Sequence, residues 1–188
     1  MIYIGADHRG FELKEEIKKY LLNKDLFKKA ISDSSYSIAG SALEALLVAD
    51  EAAALAEAKR LSATKTKGKL AASISTVLIE AGTEADFDVI AGNFDALPFG
   101  QEKFEALEPF AKYLGKVENT DKLKKGVDMI VSFRDAIPEN YQSQTTPYIN
   151  NIVLKGIISK KTAAAKTNTN LQSQIDYINT KTDNKKGF

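Results

Sequence analysis

The sequence of 188 residues contains no cysteine, no tryptophan and a single histidine, His8. Without thiols there is no disulfide and no thiolate nucleophile or metal ligand, an absence that fits a reducing or an oxidising compartment equally. One imidazole cannot supply the two ligands of an H-E-x-x-H zinc helix, and neither a Walker nor a G-x-S-x-G signature is present. Charge of one sign is missing too. Twenty-six Lys and Arg stand against 25 Asp and Glu, a net +1 that offers no field for polyanions, so nucleic acid is not an expected partner. Long apolar runs are also absent: the stretch Ala39 to Ala49 is short and carries Ser41 and Glu44, far from the ~30 Å needed to span a bilayer. A soluble chain with no membrane partner is expected. The start, Met1-Ile2-Tyr3-Ile4-Gly5, has no basic segment followed by an apolar one, so no secretory signal is visible and the compartment stays open.

The residues that remain describe helices. With 44% hydrophobic and 27% charged residues the chain has enough apolar material for a sizeable core. Residues 1–22 read as strand, glycine-bounded loop and helix, and everything after Asn23 as helix upon helix, which suggests a fragment or a junction of two sequences. Tyr36, Ile38, Ala39, Ala42, Leu43, Leu46 and Leu47 follow the 3.6 period, and Asp50-Glu51 opens a second, alanine-rich helix after a tight joint. After a polar 64–69 stretch, Leu70, Ala71, Ile74, Val77 and Leu78 form a stripe that Gly82 stops. Thr83 followed by Asp86 predicts a capped start for the helix of Phe87, Ile90, Ala91 and Phe94, which Pro98 closes.

Further on, Phe104, Leu107, Phe110, Ala111 and Leu114 share one face of a helix that Pro109 bends or starts. Asn119, Thr120 or Asp121 caps a helix through Leu123, Val127, Ile130, Val131, Arg134 and Ile137 that runs until Pro138. A further helix is expected to begin near Thr145-Thr146-Pro147, with proline in its first turn. Leu171, Ile175 and Ile178 mark a last docked helix ahead of a basic tail. Short helices joined by short polar turns predict a mainly α fold of stacked antiparallel helix pairs, an α-solenoid of the HEAT or armadillo kind, although no fixed repeat period emerges. The expected division is an N-terminal segment over 1–22, a helical array over 23–180 and a basic tail over 181–188.

The stretch FKKAISDSSYSIAGSALEALLVADEAAALAEAKRLS, with Asp33-Ser34-Ser35-Tyr36, the segment Phe110-Ala111-Lys112-Tyr113-Leu114, and Phe133-Arg134-Asp135-Ala136-Ile137-Pro138 followed by Pro147-Tyr148-Ile149-Asn150, resembles the C-terminal helical domain of zinc aminopeptidases of the aminopeptidase N type. The resemblance covers about residues 23–177. It implies a non-catalytic domain that caps a catalytic domain and limits access to short peptides. The zinc, its H-E-x-x-H helix and the general base all belong to that catalytic domain, with no cofactor in this chain. The implied partners are the catalytic domain and peptide substrates.

Ile4-Gly5-Ala6-Asp7-His8-Arg9-Gly10-Phe11 resembles instead the start of type B ribose-5-phosphate isomerases and of galactose-6-phosphate isomerase subunits. That resemblance implies that Asp7 and His8 meet a sugar phosphate at a strand end. The C-G-T-G loop, the cysteine base and the further strands of that family are missing, which leaves the proton-moving role empty.

Two functions besides the peptidase lid therefore stay open: a stand-alone helical module that binds a protein or peptide, and an isomerase fragment or chimera. Arg134, among apolar residues on a helix, is the candidate for holding a peptide carboxylate, against the plainer alternative of pairing with Asp128 or Asp135. Phe104, Phe110, Tyr113 and Phe133 read as packing before they read as a ligand box. Asp86 and Asp88, two apart on a helix, are poor metal ligands.

Overall fold

The computed structural model describes residues 23–64, 66–164 and 170–182, and these are mainly helical, with no strand among them. The strand-loop-helix expected over 1–22 and the tail residues 183–188 lie outside the described residues. Two compact units share the chain, 1–77 and 78–188, with the division inside one helix.

The first unit contains α1 (Lys24–Ile31), α2 (Tyr36–Ala49), α3 (Glu51–Ser62) and most of α4 (Gly68–Ala81). Each of the first three starts where a polar side chain accepts a backbone N–H left over by the helix: Asn23 from Leu26, Ser35 from Ile38 and Asp50 from Ala53. The tight joint expected at Asp50 is present, since this residue ends α2 and caps α3. Ala39, Leu43, Leu46, Ala54 and Ala58 are buried where α2 packs on its neighbours. Glu44 ties α2 to α4 by accepting from Ser73 Oγ at 2.7 Å and pairing with Lys69 at 3.2 Å. The two helices approach so closely there that a Cβ on Gly40 would lie 2.9 Å from Lys69 backbone.

The second unit begins with the end of α4 and a 3-10 turn, Glu84–Asp86, followed by α5 (Phe87–Ala96), α6 (Gln101–Glu105), α7 (Leu107–Leu114) and α8 (Thr120–Asp135). The predicted Thr83–Asp86 cap is there, with the Asp86 carboxylate accepting from both Thr83 N–H at 2.9 Å and Thr83 Oγ1 at 3.0 Å. The expected single helix around Pro109 is two helices. The break falls at Ala106, which leaves Pro109 in the first turn of α7, where a missing N–H costs nothing.

The helix start expected near Pro147 is not found. Pro138, extended at ψ 142, opens α9 (Glu139–Tyr148), and Pro147 lies inside it. The chain then passes through a π segment, Ile149–Leu154, into α10 (Lys155–Ala164). A proline here removes one helix hydrogen bond. Burial of Ile149, Val153, Leu154 and Ile157 holds the helical path through the irregularity.

The core of this unit is built from Phe87, Leu107, Phe110, Tyr113, Leu114, Leu123 and Ile130. Phe94 and Phe110 stack at 4.4 Å. Tyr113, fully buried, donates its hydroxyl to Thr83 O at 2.8 Å, and burial followed by the Asp86 charge pushes its pKa well up. Lys161 is buried as well and donates to the Val117 carbonyl past the end of α7; burial lowers its pKa against the pull of Glu118 and Glu84. The last helix, α11 (Leu171–Thr182), is laced to α8 at both ends: the Gln174 amide donates to Glu118 O at 2.7 Å, and Arg134 reaches Lys181 O at 2.8 Å.

Candidate functional site

Helix α8 has two working faces. Leu123, Val127, Ile130 and Phe133 turn into the core, while Asp121, Lys124, Asp128, Ser132 and Ala136, at helical spacing, line an open groove of about 680 Å3. Asp95, Phe99 and Lys103, from α5, the linker after it and α6, form its other wall. Phe99 reaches this position because Gly100 takes φ 148, a conformation that side chains disfavour, and so turns the chain sharply between Phe99 and α6. The Phe99 ring is 56% exposed and lies 5.0 Å from that of Phe133, which is also 6.4 Å from Phe104. Phe104 in turn stacks on Tyr148 at 5.4 Å. The floor is therefore aromatic and the rim is charged.

Much of that charge is already matched. Lys103 donates to Asp95 O at 2.9 Å, a cation at the end of α5, and has the Asp95 carboxylate at 3.8 Å and the Phe94 ring beneath it. Asp128 accepts from Tyr177 Oη at 2.6 Å and pairs with Lys181 at 2.8 Å. Burial and then the Asp128 hydrogen bond raise the Tyr177 pKa, and Asp128 raises that of Lys181. Lys124 lies over the Tyr177 ring at 5.4 Å. Lys125 has Asp88 at 3.7 Å, both side chains being largely exposed.

Arg134 is absent from the groove lining. It is 5% exposed, and its Nε donates to Asp135 at 2.9 Å while Nη1 donates to Asn150 Oδ1 at 2.6 Å and Lys181 O at 2.8 Å. Of its two expected partners, Asp135 takes the role and Asp128 serves Tyr177 and Lys181. Phe110 and Tyr113 are packed in the interior, as their spacing suggested, Phe104 is half-buried, and Phe133, though buried, also lines the groove. Asp7 and His8 lie outside the described residues. Among the described residues no group of three or more His, Asp or Glu side chains is placed to hold a metal ion. Nor is any described helix long and apolar enough to cross a membrane.

The groove lining as a set is not legible in the sequence, because the apolar stripe of α8 dominates its opposite stripe. The run Asp121, Lys124, Lys125, Asp128, Met129, Ser132 was the available signal, a helix that turns from charged to apolar along one side. No protein-family profile, curated protein or solved structure matches the chain.

Proposed function

We propose that the chain is a non-catalytic helical domain, a degenerate array of helix pairs, whose groove along α8 receives a segment of peptide. The observation that carries this reading is the groove itself: an aromatic and apolar floor from Phe99, Phe133 and Met129 beneath a rim holding both signs of charge. Such a surface suits a chain that has apolar side chains to bury and backbone amides to hydrogen-bond. A library of random hexapeptides titrated into the protein tests it, read as shifts in the backbone amides of α8. Binding that is lost in Phe99→Ser supports the reading, and no shift with any peptide at millimolar concentration overturns it.

A second reading, the lid of a zinc aminopeptidase, is favoured by α2. This helix exposes Tyr36, Ile38 and, at 81%, Val48, beside the polar Ser37 and Ser41. Large apolar side chains exposed on one helix suit a covering partner. In the lid reading the cover is the catalytic domain that holds the zinc. Adding a separately produced aminopeptidase catalytic domain tests this: a change in peptide-length selectivity that Val48→Glu removes supports it, and an unchanged selectivity counts against it.

A further inference from the structure

Helix α11 is fastened to its neighbours by polar contacts more than by apolar burial. Over its twelve residues it buries Ile178 and Gln174, with Leu171, Ile175 and Tyr177 half-buried. By contrast α7, with eight residues, buries Leu107, Phe110, Ala111, Tyr113 and Leu114. Gln174, Tyr177, Ile178 and Lys181 share one helix face, and three of the four carry polar groups. At the start of that face the Gln174 amide donates to Glu118 O at 2.7 Å and to Thr120 Oγ1 at 3.2 Å. Midway, Tyr177 Oη and Lys181 Nζ both meet the Asp128 carboxylate, at 2.6 and 2.8 Å. At the end, Arg134 and Asn150 hold Lys181 O and Thr182 O.

Were such a helix to lift, water would take over both sides of each hydrogen bond, so each opposes release only weakly. A buried apolar side chain has no such substitute, and in α11 that anchor is Ile178. A free helix of this length is marginal in water, so α11 would melt as it lifted and open all its amides together. Two residues of the groove are tied to it: Asp128 holds Tyr177 and Lys181, and the Lys124 ammonium lies 5.4 Å from the Tyr177 ring. We propose that α11 is a strap that leaves and re-docks as one unit while α7 and α8 stay folded, and that its docking decides whether Asp128 and Lys124 are engaged or free for what enters the groove. The strap requires no peptide in the groove, so it stands or falls apart from the peptide-binding reading.

Native-state hydrogen exchange of the whole chain at rising, sub-denaturing urea tests this. The α11 amides are expected to exchange through one common opening, about a hundredfold faster than those of α7 after correction for intrinsic rates, and with a smaller urea dependence because little surface is uncovered. Asp128→Asn keeps the shape of the side chain and removes its charge, and α11 should then exchange about fivefold faster. Ile178→Asp sets a carboxylate where Ile178 is fully buried, which keeps the strap off. In that variant the α7 amides should remain protected while the NMR signals of the Asp128 carboxyl and the Lys124 ammonium move. The strap is overturned by α11 amides that share the protection and urea slope of α7, by protection that decays residue by residue from Thr182, by an unchanged rate in Asp128→Asn, or by loss of α7 protection in Ile178→Asp. Unmoved Asp128 and Lys124 signals with α11 off overturn its link to the groove.

Discussion

Gly126 of α8 faces Leu114 of α7 so closely that a Cβ on the glycine would lie 2.4 Å from Leu114 Cδ2. Leu114 is fully buried and has nowhere to retreat. Gly126→Ala should therefore cost about 1–3 kcal/mol, overpacking outweighing the gain in helix propensity. Gly92, exposed in α5 with nothing within 4 Å of its added Cβ, gives the control: Gly92→Ala should raise stability by about 0.5–1 kcal/mol. Urea unfolding of the pair measures both signs.

Arg134 holds the last carbonyls of α11 together with Asn150, whose amide donates to Thr182 O at 3.3 Å. Arg134→Met removes one of the two donors of that clasp and leaves Lys181 O and Asn150 Oδ1 without the Arg134 hydrogen bonds, for a loss of about 3 kcal/mol. Lysine restores one donor without the fork, so Arg134→Lys should fall between. Hydrogen exchange should report the change first at the end of α11, and an unaltered exchange there would contradict the clasp.

Asn93 has a buried side-chain nitrogen with no hydrogen-bond partner among the described residues. Such a group loses its water without replacement. Asn93→Leu, which keeps the branching at Cγ but adds bulk, should stabilise the protein by about 1 kcal/mol where the half-buried site admits it, visible as a rise in Tm.

Tyr148 donates its hydroxyl to the Glu108 carboxylate, and that bond, then burial and the Glu108 charge, push its pKa up to about 12. A raised phenol pKa means that the unfolded chain releases its proton first. The contribution to stability is thus whole below pH about 10 and is lost as pH rises through about 12. Phenolate absorbance should show one tyrosine titrating earlier in Glu108→Gln than in the natural sequence.

The parts of this fold legible in the sequence are those decided within a few residues. Thr83 with Asp86, Asn119 before α8 and Asp50 before α3 are caps whose donors and acceptors lie three positions apart, so local chemistry suffices to place them. Pro147 misled because proline marks a helix start only when nothing else holds the chain. Here Ile149, Val153 and Leu154, buried against distant elements, outweigh the missing hydrogen bond.

The site was legible only in part for the same reason. Arg134 stood out by its apolar surroundings, but its partners Asn150 and Lys181 lie 16 and 47 residues away. The Tyr177–Asp128 contact spans 49 residues and Phe99 meets Phe133 through a turn at Gly100. No local pattern announces such pairings.

Asp50 belongs to two helices at once, its backbone N–H bonded to Leu46 O and its carboxylate capping α3. A joint of one residue leaves no slack. An amino acid inserted in the second half of α2 would turn every later position about 100° around the helix axis, and no loop follows to absorb the error before α3 begins. Gly68 at the start of α4 is the contrast: its φ is 55 and a Cβ added there meets no atom within 4 Å.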